Sequence, residues 1–361
     1  MKKLNLIIAL MILTMKPAAA QFQPFGADVE RFDPTQCNPS VGCPEMDKLH
    51  TAGMQWIRLL VMWRWVEPNA PTNPAYPGIY GQWTGQHTLF LSDLDYQVNR
   101  ARSLGMNVYL NFMWTPPWAN DSPEDCSPLD AGRICASGRW TVGYAIRNKY
   151  QLLDLAYLVA SHFRGRVSAY GVWNEPNLTN NFNLSNPREP IDEGQYLNVF
   201  ADRYLFMVHN GVKAGDPTAQ VVAPEVATNA CGMPRSGCDW FRSWVEPMWM
   251  YFGGSFDVIS FHEHRQSHND AKGDVDRVYN RTFRPIWVTE NSYDVPLNAE
   301  PNEMFTTYVD LFNRPLWQKD FYTAISGNKF GFCSQGGLLC ENYPAFTERP
   351  VYGRYKQMTG Y

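Results

Sequence analysis

Beyond its first twenty positions the 361-residue sequence has no uninterrupted apolar run near the roughly 20 residues that a membrane helix requires, which argues against membrane insertion. Charge is also sparse: charged residues make up 18%, and the 31 Lys and Arg are scattered around a formal net charge of −4. Without a basic stripe, nucleic acid is not an expected partner. There is no Walker-type phosphate loop and no Gly-rich dinucleotide fingerprint, so no nucleotide cofactor is implied. Nor is there an internal Ser/Gly linker, charge block or low-complexity tract to divide the chain. The cysteines lack the Cys-x2-4-Cys spacing with further ligands that a zinc site uses, so no metal is expected.

What is present begins with an address label. Lys2 and Lys3 precede the apolar run Leu4 to Met15 and the small residues Ala18, Ala19 and Ala20, the order of a secretory signal peptide. Residues 1–20 are therefore expected to be removed, leaving 21–361 as one catalytic domain that is secreted or periplasmic. Aromatic residues reach 14%, with 13 Trp and 19 Tyr. That abundance suits a cleft that stacks on flat ligand faces, although a Trp-rich core would give the same count. The eight cysteines fall into four tight couples: Cys37 with Cys43, Cys126 with Cys135, Cys231 with Cys238, and Cys333 with Cys340. In an exported chain these couples are expected to staple four surface loops as disulfides, a connectivity that spacing alone does not prove.

Short apolar runs alternate with longer helix-period runs from about Phe25 onward, the pattern of βα units around a parallel sheet. Strands are predicted at Phe25–Val29, Trp56–Met62, Asn107–Phe112, Ser168–Trp173, Val221–Ala223, Phe256–Phe261 and Pro285–Thr289. The eighth falls at Phe321–Ile325 or at Lys329–Phe332. Helical stripes are formed by Leu91, Leu94, Val98 and Ala101, by Leu152, Leu155, Ala156, Val159 and Phe163, and by Leu197, Phe200, Tyr204, Met207 and Val208. Gly105, Gly165 and Gly215 sit where a left-handed residue ends a helix. The expected fold is a single (β/α)8 barrel of the TIM type, with long loops at 67–90, 116–144 and 177–193 after strands two, three and four. Those positions build the active face of such a barrel.

Two glutamates stand at strand ends. Glu175, in Val172-Trp173-Asn174-Glu175-Pro176-Asn177, follows strand four, and Glu290, in Ile286-Trp287-Val288-Thr289-Glu290-Asn291, follows strand seven. Strands four and seven lie across a barrel mouth from each other. A glycosidic bond is cleaved by such a pair, because the leaving oxygen must be protonated while a carboxylate meets the developing oxocarbenium ion. Carboxyl groups ~5–5.5 Å apart predict retention of anomeric configuration, and roughly 6.5–9.5 Å predicts inversion. Mutual repulsion favours one protonated and one ionised member of the pair. Two unrelated solvated loop acids would not share this placement.

The sequence resembles clan A of the glycoside hydrolases, and within it family 39 and its relatives. The resemblance rests on Trp-Asn-Glu-Pro-Asn at 173–177, Trp-Val-Thr-Glu at 287–290, Trp56-Ile57-Arg58 with Trp63 to Pro68, and Thr115-Pro116-Pro117-Trp118-Ala119. It implies that Glu175 is the acid/base, Glu290 the nucleophile and Asn174 a donor to the sugar 2-hydroxyl. It further implies that Arg58 braces Glu290 by charge-assisted hydrogen bonds, and that His262 or His264 bonds the nucleophile or substrate. Trp63, Trp65, Trp114, Trp118 and Tyr293 are candidates for stacking platforms, and some of them are expected to pack loops instead. Glu225 reads equally as a substrate contact or as a loop ion-pair partner.

The leading reading is a retaining hydrolase of β-linked oligo- or polysaccharides, with endo action favoured by the long loops. An exo-acting β-glycosidase of the same clan would carry the same two glutamates. A non-catalytic carbohydrate-binding barrel is the alternative from another class, since folds outlive their activities. A metal-dependent hydrolase built on His262, Glu263 and His264 is a third, weakened by the lack of a further ligand at suitable spacing. Sugar identity and oligomeric state have no signature in the sequence.

Overall fold

The structure is a computed structural model that describes residues 25–29, 37–73, 75–120, 145–178, 195–228, 239–263, 268–291 and 316–323, with short pieces at 306, 325–326, 339–340 and 347–348. The expected signal peptide, His264, Tyr293, Cys126, Cys135, Cys231, Cys238 and Cys333 lie outside the described residues, as does the alternative strand at 329–332.

Nine strands form one sheet: β1 (Phe25–Asp28), β2 (Trp56–Met62), β3 (Asn107–Met113), β4 (Ala169–Val172), β5 (Gln220–Val222), β6 (Val226–Ala227), β7 (Ile259–Glu263), β8 (Ile286–Asn291) and β9 (Trp317–Thr323). Their order is β5-β4-β3-β2-β1-β9-β8-β7-β6 and every pairing is parallel. The strand predicted at Val221–Ala223 is found as β5, and β6 is an additional short strand that follows Pro224, which has no N–H to give a ladder. The segment around β5 is also bonded to the residues just before β7: the N–H of Ala223 donates to the carbonyl of Val258 at 2.9 Å, and that of Asp257 to Val221 at 2.8 Å.

The last strand overlaps the first of its two predicted positions and begins four residues earlier. Lys319 interrupts the apolar run there, yet its ammonium lies 4.1 Å from the ring centre of Trp56 and 5.2 Å from that of Trp287. The ring faces attract the cation, while burial lowers its pKa to about 8. Trp56, Tyr109, Ala169, Val222, Val258, Trp287 and Phe321 form a separate inner cluster. It fills the interior near the strand starts, with Trp56 and Trp287 meeting edge to face at 5.2 Å.

The larger core lies between the sheet and its helices. The helix Ser92–Ser103 buries Leu94, Val98 and Ala101, and Lys149–His162 buries Leu152, Leu155, Ala156 and Val159, as the stripes predict. The side chain of Asn148 caps the second of these helices by accepting from the N–H of Tyr150. The third stripe spans Tyr196–Phe200 and Phe206–Gly215, joined by a π-helical turn at Ala201–Leu205. Gly105 and Gly165 end their helices with φ of 77° and 74°. Gly215 is different: it lies inside its helix, and a Cβ there would stand 2.6 Å from the carbonyl oxygen of Tyr157. Close helix packing, not a left-handed cap, is its reason.

Among the described residues one disulfide, Cys37–Cys43, staples the loop before the helix Pro44–Thr51. Among the described residues no helix is long and apolar enough to cross a membrane.

Candidate active site

The carboxyl ends of β1, β4, β7 and β8, with the break between β5 and β6, deliver Asp28, Glu175, His262, Glu290 and Glu225 to one place. Alternation along β8 does not by itself place Glu290 there. Trp287 faces the interior, so strict alternation would send Thr289 inward and Glu290 outward. The pairing shifts between Phe261↔Val288 and His262↔Glu290, leaving Thr289 out of register. Such an irregularity re-aims a side chain, and Glu290 returns to the interior face beside His262.

The turn after β4 is strained. Trp173 and Glu175 hold φ of 67° and 44°, and Trp114 after β3 holds 63°. Bulky L-residues rarely adopt such values, which cluster at functional sites where the surroundings over-determine them. For Glu175 the restraint is visible: its N–H donates to the carbonyl of Glu225 at 2.8 Å, and the N–H of Glu225 donates to the carbonyl of Trp173 at 3.2 Å.

His262 is the centre of the cluster. Nδ1 lies 3.1 Å from Oε1 of Glu175 and 3.5 Å from Oε2 of Glu290, and Nε2 lies 3.4 Å from Oε2 of Glu225. Burial alone would lower the imidazole's pKa, but the Glu290 charge and the bonds to Glu175 and Glu225 outweigh it and raise the value to about 10. The ring is thus an imidazolium among three carboxyl groups. Of these, Glu175 and Glu290 keep 14% and 9% of their side chains open at the mouth, whereas Glu225 has none exposed.

Arg58, fully buried on β2, has Glu290 as its most distant ion-pair partner. Its closest contacts are with Asp28, both oxygens of Glu225 and Oδ1 of Asn174, the last at 2.5 Å. Glu290 is reached only at 3.8 Å. The charge that bonds Arg58 most fully is Glu225, which also accepts from the hydroxyl of Tyr109 at 2.6 Å and from the amide of Asn111. Against the pull of burial, Arg58 and His262 lower the pKa of Glu225 to about 2. Asp28 goes the other way, raised to about 7 by burial despite Arg58.

The tryptophans divide. Trp63 is 1% exposed, its indole N–H donates to Glu67 at 2.9 Å, and its ring meets Trp118 edge-on at 5.7 Å. It builds the loop base and offers no face to a ligand. Trp118 is held there too, donating to the carbonyl of Glu67 at 3.0 Å. Trp114 instead stands against Trp65, which is 47% exposed, with the guanidinium of Arg64 within 4.8 Å and 5.1 Å of the two rings. Loop 67–90 is tied down by a bond between His87 and Glu67 at 2.7 Å and by Asp154, which accepts from Ile79 and Thr84.

Sequence reasoning reached Glu175, Glu290, Asn174, Arg58 and His262, all of which converge. It missed Asp28, Tyr109 and Asn111, and left Glu225 undecided. Among the described residues no group of His, Cys, Asp and Glu is arranged to hold a metal ion.

Residues 172–326 match the family model described as the glycosyl hydrolase catalytic core. No curated protein matches the sequence. Similar solved structures include a family 39 glycoside hydrolase from the gut symbiont Bacteroides cellulosilyticus WH2, with 16% identity and a TM-score of 0.57 over 92% of this chain and 62% of that one. A glucosidase from Croceicoccus marinus has 14% identity and a TM-score of 0.57 over 94% of this chain and 67% of that one. Native xylanase 10B from Thermotoga maritima has 15% identity and a TM-score of 0.57 over 94% of this chain and 95% of that one. At such identities the likeness is one of fold, and this chain spans less than two thirds of the family 39 structure.

Proposed function

We propose that this chain is a glycoside hydrolase of the clan A type that cleaves β-linked saccharides by double displacement, with Glu175 as acid/base and Glu290 as nucleophile, a reading supported by the catalytic-core match and the fold likeness. One observation carries the reading. Because Nδ1 of His262 is 3.1 Å from Oε1 of Glu175 and 3.5 Å from Oε2 of Glu290, those two oxygens are no further apart than both distances laid end to end, 6.6 Å. That bound accommodates the ~5–5.5 Å spacing of retaining enzymes and meets the roughly 6.5–9.5 Å of inverting ones only at its lower edge.

In the first step the Glu290 carboxylate attacks the anomeric carbon while Glu175 gives its proton to the departing glycosidic oxygen. In the second, Glu175 takes a proton from water, the oxygen of that water bonds to the anomeric carbon, and the bond to Glu290 breaks. The His262 imidazolium favours the ionised nucleophile and holds both carboxylates in place. Asn174 has its carbonyl oxygen held by Arg58, which leaves the amide nitrogen as the donor to the sugar 2-hydroxyl.

We read the sheet as a closed (β/α)8 barrel in which β5 and β6 together make the fifth strand, a reading supported by the bonds between Ala223 and Val258. Endo action on a polysaccharide is supported by the exposed Trp65 and its partner Trp114 beyond the catalytic centre. Export is supported by the signal-like start. The test is trapping with activated 2-deoxy-2-fluoro β-glycosides, of glucose and of xylose, followed by peptide mapping. The reading expects a covalent adduct on Glu290; an adduct on another residue would overturn it.

A further inference from the structure

Glu225 is fully buried, faces no open mouth and takes no part in the steps above. Yet it is tied to Arg58, to His262 and, through its backbone, to Glu175. Its backbone holds the left-handed turn of Glu175 through two hydrogen bonds, from the N–H of Glu175 at 2.8 Å and to the carbonyl of Trp173 at 3.2 Å. Its carboxylate accepts from Nε of Arg58 at 2.9 Å, from Nη2 of the same residue, from Tyr109 at 2.6 Å and from Asn111, and it faces Nε2 of His262 at 3.4 Å.

We propose that Glu225 is a positioning residue for the hydrolytic reaction. Its backbone fixes where the acid/base stands, and its charge fixes the orientation of His262 and Arg58 beside the catalytic pair. This rests on the assignment of Glu175 and Glu290 above. A buried carboxylate with five polar atoms aimed at it is a poor choice for stability alone, because desolvating so many charged groups offsets much of their mutual attraction. It is a good way to fix groups whose own far ends meet the substrate, since a misplacement of about 1 Å lowers turnover on the order of 100-fold.

The groups that face the cluster are Asp28 from β1, Arg58 from β2, Tyr109 and Asn111 from β3, Glu175 and Asn174 after β4, His262 from β7 and Glu290 from β8. Removing one negative charge makes every remaining proton among them easier to lose. Glu225→Gln is therefore expected to move the alkaline limb of the kcat/KM profile to lower pH, as His262 parts with its proton sooner, and to lower kcat on the order of 100-fold with KM little changed. Glu225→Asp keeps the charge but draws it back. It is expected to keep the limb at the wild-type pH with kcat lowered, and it reads the positional half of the proposal if Glu225→Gln does not fold. Wild-type kcat and an unmoved limb in Glu225→Gln would overturn the proposal, and so would a lowered kcat with an unmoved limb, which marks a merely structural role. Glu175→Gln and Glu290→Gln, measured alongside, separate the two ideas: if these retain turnover the functional reading fails, whereas if they lose it and Glu225→Gln behaves as wild type, only this proposal does.

Discussion

His262 and Glu175 are 87 positions apart in sequence, and Nδ1 of the one meets Oε1 of the other at 3.1 Å. The same nitrogen lies 3.5 Å from Glu290, so a single buried cation is shared by the two carboxylates whose roles must differ. Its pKa, raised from 6.5 to about 10, keeps it charged through neutral pH.

Replacing that cation with a neutral side chain makes Glu290 harder to ionise. In His262→Gln the acid limb of the kcat/KM profile is expected to rise by about one pH unit, the smaller end of the effect of a neighbouring charge. Initial rates from pH 3 to pH 9, with unfolding monitored at each pH, check this. An unmoved limb would show that His262 does not set the ionisation of the nucleophile.

The same groups shape stability. His262 is raised in the folded state, so it stabilises fully below 6.5, and that contribution is lost as pH rises toward about 10. Asp28, raised from 3.8 to about 7, adds a loss of the same sign as pH rises between those values. Glu225 is depressed from 4.5 to about 2, so its contribution is present above 4.5 and lost as pH falls through about 2. The melting temperature is expected to be highest in the mildly acidic range and to fall toward both pH 2 and pH 10. In His262→Gln the fall between 6.5 and 10 should be smaller, which thermal unfolding across pH measures directly.

Gly171 on β4 has no room for a side chain: a Cβ there would stand 2.1 Å from the Tyr109 hydroxyl and 2.8 Å from Oδ1 of Asn111. Both residues donate to Glu225. Gly171→Ala is expected to lower stability by roughly 1–3 kcal/mol, the usual penalty of overpacking, and to lower kcat as well. Gly211→Ala, which would crowd the carbonyl of Leu153 at 2.5 Å far from the site, should lower stability alone. Denaturant unfolding together with kcat for each variant distinguishes the two.

Trp63 and Trp65 are two residues apart and are expected to behave differently. Trp63→Ala removes a buried ring that donates to Glu67 and should destabilise by about 3–5 kcal/mol. Trp65→Ala removes an exposed ring and should raise KM for long oligosaccharides roughly fivefold, for a stacking contribution of ~1 kcal/mol. Equal KM values for Trp65→Ala and the wild type across oligosaccharide lengths would rule out the platform.

Most strand positions, and the two glutamates that meet at His262, were legible in the sequence because both are local signals: apolar runs of strand length, and an acid at the end of two of them. Trp56–Met62 matches the prediction residue for residue. What escaped is what depends on residues far apart in the chain. Glu225 meets Arg58 across 167 positions, and nothing within a few residues of Ala223-Pro224-Glu225 reveals that five polar atoms converge there. The in-register role of Glu290 depends on a shift at Thr289 that alternation does not reveal. Trp63 looked like a platform because it follows a strand end, but its burial is set by Trp118 and Glu67, brought together by the loop.

The account turns on retention, and the anomer released first decides it. Following hydrolysis of a β-linked oligosaccharide by proton NMR, before mutarotation equilibrates the product, should show the β-anomer appearing first and the α-anomer only later. Initial release of the α-anomer would contradict the double displacement through Glu290 and the role assigned to the His262-bridged pair.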